Sequence, residues 1–276
     1  MTQRLPQFTN DGLTFDVIDS GPLDGEPIVL LHGFPERGNS WTAVARILND
    51  AGYRTYAPDQ RGLSRGARPG RRRDYTLRKV AGDARALIDA VGGTAHVVGH
   101  DWGAAAAWAT AQRHPEAVRT LTAVSVPHVG AFTRAAYTSS QGLKSWYMGF
   151  FQLPRIPELL VDSAPFVRWI RGGGMSDEQY ARFRSEIVED GALPTALNWY
   201  RQLPFNDPRE IDVPVGAPTT FVWSDGDAYV GRRAAELCER YVTGSYHFVE
   251  LPGVSHWIPT EAPEALAGAI LERVAG

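Results

Sequence analysis

The chain has 276 residues, with 28 Lys and Arg against 31 Asp and Glu, a net charge of −3. That length suits one large α/β domain with room for an inserted subdomain, and the charge balance argues against nucleic acid or an anionic membrane as partner. The single cysteine, Cys238, excludes an intramolecular disulfide. With no apolar signal core in "MTQRLPQFTNDG" and no apolar run of the ~18–20 residues that span a bilayer, a cytoplasmic protein is expected.

In chain order, "FTNDGLTFDVIDSG" (8–21) predicts two short strands around an Asn-Asp-Gly turn. "PIVLLHG" (27–33) predicts a buried strand, "SWTAVARILNDAG" (40–52) a helix and "YRTYAPD" (53–59) a strand. The basic run "GRRRDY" (70–75) reads as a solvated loop, since its flanks hold no aromatic platform for bases. "TLRKVAGDARALIDAVG" (76–92) has helical period and a Gly stop, "AHVVGHD" is a strand, "GAAAAWATAQRHP" a helix, and "VRTLTAVSVP" a strand. After Pro127 the alternation stops. Residues 128–213 hold helical segments rich in Trp, Tyr, Phe and Pro, and no convincing strand. It resumes with "PTTFVWSDGD" (218–227) as strand and loop, "GRRAAELCERYV" (231–242) as one helix, "SYHFVELPGVSHW" (245–257) as strand and loop, and "PEALAGAILERVAG" (263–276) as a closing helix. The pattern predicts a mostly parallel sheet flanked by helices, residues 1–127 and 214–276, interrupted by a helical insertion over 128–213.

Open parallel sheets gather active groups at the carboxyl ends of their strands. Four such ends carry candidates: His32-Gly33-Phe34-Pro35, Gly99-His100-Asp101-Trp102-Gly103, the pair Asp225 and Asp227, and His256. Gly99-x-Asp101-x-Gly103 has the spacing of a nucleophile elbow, in which small residues flank a strained strand-to-helix turn that exposes the middle side chain. Alone, that pattern is weak, and Asp101 reads first as a helix cap. A nucleophile, an acid and a histidine in that order at successive strand ends make the catalytic reading stronger, and no Gly-x-Ser-x-Gly competes with it. A carboxylate that attacks an sp³ carbon leaves an ester that water can cleave, where a serine would leave an ether. Asp therefore suits epoxide or carbon–halogen chemistry and excludes a serine-type esterase. His256 is the candidate base, and an acid partner would hold its tautomer. His96 and His100 have i, i+4 spacing but fall on a strand and turn, which argues against zinc; no metal and no cofactor are expected.

With these residues in view, the chain resembles the epoxide hydrolase branch of the α/β-hydrolase superfamily, close to the haloalkane dehalogenases. The resemblance is carried by "HGFPE" (32–36) with Trp41 following, "GHDWG" (99–103), "LNWYR" (197–201) and "SHW" (255–257), and is loosest in the insertion. It implies an α/β-hydrolase fold with a helical cap, a triad of Asp101, Asp227 and His256, and an oxyanion hole from the Phe34 and Trp102 backbones. Asp227 fits the acid's motif better than Asp225, which is otherwise a turn residue. Two cap tyrosines are implied as proton donors, Tyr200 from "NWYR" and Tyr147 from "WYMGFFQLP", with Tyr137 and Tyr180 as alternatives. The pocket wall is expected from His32, Pro35, Trp146, Phe150, Phe151, Trp199 and Trp257, with the cap aromatics Trp146, Phe150, Phe151 and Trp199 alternatively core and His32 also a structural residue of its loop. The implied reaction is hydrolysis of a small apolar epoxide to a diol. A dehalogenase would use the same triad, but Phe34 stands where haloalkane dehalogenases carry Asn, and Trp102 where fluoroacetate-type enzymes carry Arg. A non-catalytic small-molecule binder on the same fold is the alternative of another class. Oligomeric state is left open.

Overall fold

A computed structural model describes residues 3–276. Eight strands form one sheet in the order β1-β2-β4-β3-β5-β6-β7-β8: β1 Gln7–Asn10, β2 Leu13–Ser20, β3 Pro27–Leu31, β4 Arg54–Pro58, β5 Ala95–His100, β6 Val118–Val124, β7 Thr219–Trp223 and β8 Tyr246–Glu250. β1/β2 and β2/β4 pair antiparallel, and every pairing from β4 to β8 is parallel. The β1–β2 hairpin turns through Asp11 and Gly12, both at positive φ, as a tight primed turn requires.

β3 shows why the sheet is buried on both faces. Ile28 and Leu30 point into one apolar layer, Val29 and Leu31 into the other, the period-two alternation of a strand. The first layer is closed by α1 (Thr42–Asp50) and by the last helix, Pro263–Ala275, through Val44, Leu48, Leu266 and Ile270. α2 (Leu77–Ala90) and α3 (Trp102–Arg113) close the second. This is the α/β-hydrolase fold that the resemblance implied.

Between β6 and β7 the chain carries only helices: α4 Val129–Thr138, α5 Gln141–Lys144, α6 Trp146–Phe150, α7 Ile156–Leu160, α8 Ala164–Gly172, α9 Asp177–Arg182, a π-helical stretch Phe183–Glu189, α10 Leu193–Ala196 and α11 Asn198–Arg201. Polar ties fasten this cap to the sheet domain. Asp190 receives Arg37 at 2.6 Å, together with Arg65 and Arg68, and Trp199 Nε1 donates to the Arg61 carbonyl at 2.7 Å.

The expected single helix over 231–242 is broken. An α-turn, Arg232–Glu236, gives way to a 3₁₀ turn, Cys238–Tyr241. The tightening serves packing: Cys238 Sγ accepts the His128 N–H at 3.4 Å, and Tyr241 stacks on the His128 ring at 4.5 Å. The run "GRRRDY" also differs from a free loop. Arg72–Tyr75 forms a 3₁₀ turn whose Tyr75 is fully buried and donates to the Pro69 carbonyl.

Candidate active site

Asp101 sits where β5 turns into α3, at φ 53° and ψ −121°, a backbone region that L-residues rarely occupy. The flanking glycines explain how the turn closes. A Cβ on Gly99 would collide with the Gly103 carbonyl, and one on Gly103 with the Leu31 carbonyl. Gly33 is pressed against the Asp101 side chain in the same way. Asp101 thereby stands at the N-cap of α3, at the positive end of the helix dipole, with no side-chain cap hydrogen bond. From the β3 side, the Phe34 N–H donates to Asp101 Oδ1 at 2.9 Å.

Asp101 Oδ2 lies 3.4 Å from His256 Nε2, and His256 Nδ1 lies 2.7 Å from Asp227 Oδ2. The far oxygen of Asp227 accepts the N–H groups of Tyr229 and Val230 at 2.7 and 2.9 Å, which fixes the carboxylate edge-on to the ring. All three side chains are buried. Burial alone would push the Asp101 carboxyl up, but the adjacent His256 imidazole, His100 and the Phe34 N–H outweigh it and hold the carboxyl below its usual range. For His256, burial pulls down, and the charges and hydrogen bonds of Asp227 and Asp101 outweigh it, raising the imidazole to about 10. In the free protein the ring is an imidazolium clamped between two carboxylates. Its own carbonyl is tied by His100 Nε2 at 2.9 Å and Ser125 Oγ at 3.0 Å. Glu36 Oε2 stands 3.4 Å from the other nitrogen of His100. Asp225 is exposed and accepts the Gly253 N–H at 2.7 Å, away from the imidazole.

The cap places Tyr147 and Tyr200 above Asp101, their rings 6.0 Å apart. Tyr200 is held by its neighbours: Trp199 reaches the sheet domain, and Arg201 forks onto Glu158 at 2.7 and 3.0 Å while Gln152 takes the Tyr200 carbonyl at 2.7 Å. Its ring lies 5.3 Å from that of Phe34 and 5.0 Å from that of Trp102. Burial first, and then the negative charge of Asp101, raises both phenols well above 10, so each keeps its proton at neutral pH.

Two cavities meet at this point. Asp101, Tyr147, Tyr200, Tyr229 and His256 line both. Trp102 lines the larger, and Phe34, Pro35 and Trp257 the smaller. Five residues expected in the pocket wall line neither. Along α6, Tyr147 and Phe151 share one stripe at i, i+4 spacing, and Trp146 and Phe150 share the next. Trp146 is therefore 57 % exposed, with Phe150 packed beside it. Phe151 is fully buried behind the tyrosines, 4.8 Å from the Tyr200 ring. Trp199 is the anchor just described. His32 turns away from the cavities: its Nδ1 pairs with the Gly33 carbonyl, its Nε2 accepts the Gln60 N–H at 3.0 Å, and burial lowers its pKa, so it braces the loop that presents Phe34. His96 pairs with Glu26 and Thr120 at the opposite end of β5 from His100. Tyr229 was not anticipated. Its ring stands 4.9 Å from that of His256, because the turn that satisfies Asp227 brings it there; the spacing Asp-Ala-Tyr after a strand is the signal that could have found it.

The profile of the alpha/beta hydrolase fold family matches residues 26–263. A Bacillus subtilis AB hydrolase superfamily protein, YfhM, is 36 % identical over 96 % of each chain. Epoxide hydrolase 3 of Xenopus tropicalis is 33 % identical over 94 % of this chain and 74 % of its own. Among solved structures, one described as a novel epoxide hydrolase from hot-environment metagenomes superposes with a TM-score of 0.86 at 29 % identity over all of both chains. Epoxide hydrolase A from Mycobacterium thermoresistibile gives 0.84 at 25 % identity over 98 % of this chain and 97 % of its own.

Proposed function

This chain belongs to the epoxide hydrolase branch of the α/β-hydrolase fold family, and from that membership we propose that it hydrolyses an apolar epoxide to a vicinal diol through an ester on Asp101. The observation that carries the reading is the convergence on one cavity of a buried carboxylate, an imidazole backed by a second carboxylate, and two protonated phenols.

Asp101 Oδ1 is occupied by the Phe34 N–H, so Oδ2 is the attacking atom. It forms a bond to one epoxide carbon as the carbon–oxygen bond breaks, and the electron pair leaves on oxygen. Tyr200 and Tyr147 hydrogen-bond that oxygen, and one of them supplies its proton, which lowers the barrier to ring opening. His256, once neutral, takes a proton from water. The water oxygen adds to the ester carbonyl, whose Oδ1 gathers negative charge against the Phe34 and Trp102 N–H groups. Collapse of this intermediate releases the diol and restores the Asp101 carboxylate. Asp227 holds the imidazole and balances its charge.

The test is turnover of styrene oxide and an alkyl epoxide against a 1-haloalkane, with Asp101→Ala as control. Diol formation that needs Asp101 supports the reading. Halide release without diol formation overturns it in favour of a dehalogenase, and no turnover with retained ligand binding favours a binder.

A further inference from the structure

The two cavities beside Asp101 are unequal in size and shape. The larger, about 90 Å³, has room for roughly six to nine water-sized spheres. Its floor is one stripe of α3: Asp101, Ala105, Trp108, Ala109 and Gln112, the i, i+4, i+7, i+8, i+11 spacing of a single helical face. At 1.5 Å per residue that stripe is about 16 Å long. Its roof is apolar, from Phe132, Met148 and Leu203. In the floor Trp108 and Ala109 are buried, whereas Ala105 and Gln112, and Phe132, Met148 and Leu203 in the roof, are half-buried. The smaller cavity, about 20 Å³, is walled by Phe34, Pro35, Ile170 and Trp257, all buried, with half-buried Trp169 beside them, and holds one or two water-sized groups.

On the reading that Asp101 opens an epoxide, we propose that the substrate class is a terminal epoxide on an unbranched apolar chain of roughly eight to ten carbons, and that Ala105 and Ala109 set the chain length accepted. An epoxide has two carbons, and each must direct its substituent into one of the two spaces. The small cavity admits hydrogen or a methyl group. The channel admits an extended chain, because methyl side chains at 105 and 109 leave its floor open where any larger residue would fill it. No charged side chain other than Asp101 and His256 lines it, so each methylene is transferred from water to an apolar wall. That transfer is worth about fourfold in kcat/KM per carbon.

The test measures kcat/KM across the 1,2-epoxyalkanes from epoxybutane to epoxydodecane, in wild type, Ala105→Leu and Ala109→Leu. The expected profile rises about fourfold per carbon and flattens near epoxydecane, with 5,6-epoxydecane slower than its terminal isomer by roughly two orders of magnitude. Ala105 lies about 6 Å along the axis from Asp101 and Ala109 about 12 Å. The break in slope therefore moves to short chains with Ala105→Leu and to intermediate chains with Ala109→Leu. If crowding α3 unfolds these variants, Leu203→Trp narrows the channel from the cap side and must shorten the optimum as well. A flat profile, or breaks that ignore the order of the two alanines, overturns the proposal while leaving epoxide hydrolysis standing. If no epoxide turns over, hydrolysis itself falls, and the channel is read by calorimetry with the 1,2-alkanediols. A Kd that tightens severalfold per carbon supports the channel, and a constant Kd refutes it.

Discussion

Replacing Asp101 by Asn removes a charge while keeping the shape of the side chain, and in doing so imitates the neutral ester. The effect to follow is on His256. Its Nε2 lies 3.4 Å from Asp101 Oδ2, and the ring is raised to about 10 by the two carboxylates that flank it. At an effective dielectric of about 20, a unit charge pair at that distance is worth about 5 kcal/mol as an upper figure. Divided by 1.36 kcal/mol per pH unit, the loss lowers the imidazole by about 3.5 units, to about 6.5, the ordinary value for histidine. The ring that is cationic in the free protein thus becomes a competent base at neutral pH once its partner is neutral. The assay is the pH titration of histidine ring signals in ¹⁵N–¹H spectra of wild type and Asp101→Asn. His256 is identified among the seven histidines by its loss in His256→Gln. A midpoint in Asp101→Asn that stays within about one pH unit of wild type refutes the idea that esterification frees the base.

His256→Gln, mixed with styrene oxide, should accumulate a covalent adduct on the peptide bearing Asp101, seen by mass spectrometry; free diol at the wild-type rate refutes the base role. Tyr200→Phe and Tyr147→Phe should each lower kcat/KM for epoxides by roughly 10²-fold, and the double variant by more, measured by diol formation. Asp190→Ala should destabilise the protein by roughly 1–3 kcal/mol, because it leaves Arg37, Arg65 and Arg68 without their shared carboxylate. Those arginines outweigh burial and hold the Asp190 carboxyl below its usual range. Its contribution is therefore fully present above about pH 4 and declines only gradually below that, until pH falls through the lowered folded value, so thermal melts of wild type and variant should draw together below about pH 4 but stay separate at about pH 3. Gly103→Ala should fail to yield folded protein by circular dichroism, since its Cβ has nowhere to go but the Leu31 carbonyl.

The parts of the site written in the sequence are those that backbone geometry dictates. Gly99 and Gly103 could be read because a tight strand-to-helix turn tolerates nothing larger, and the order of strand ends then aligned Asp101, Asp227 and His256. The cap was harder. In "WYMGFF" every position is apolar, so nothing in composition separates the stripe of Tyr147 and Phe151 that faces inward from the stripe of Trp146 and Phe150 that does not. Trp199 sits beside Tyr200 in sequence yet is committed to the Arg61 carbonyl, a partner 138 residues away. The channel face of α3 was hidden for the same reason: "GAAAAWATA" is apolar all round, so periodicity could not say which alanines meet protein and which meet open space. Tyr229 depends on how Asp227 folds its own loop.

On the proposed path the proton inventory closes with charged groups from the sheet domain and neutral donors from the cap. In the free site, Asp101 and Asp227 are anionic and His256 is cationic, a sum of −1. On the proposed path, attack converts Asp101 to a neutral ester, and the leaving oxygen takes a proton from a phenol, so the negative charge moves to a tyrosinate. The same step withdraws the carboxylate that kept His256 protonated. A buried tyrosinate is the stronger base, since both phenols are raised well above 10, so the imidazolium proton passes to it. That transfer restores the donor and leaves His256 neutral for water. Hydrolysis then returns one proton to His256 and one charge to Asp101, and the sum is −1 at every stage. A lysine in place of a phenol would close the same cycle at a sum of 0, but it would set a positive charge beside the imidazolium in the free site and disfavour it. On this reasoning, Tyr200→Lys, unlike Tyr200→Phe, should lower the pH at which His256 deprotonates in the free protein, visible in the same histidine titration.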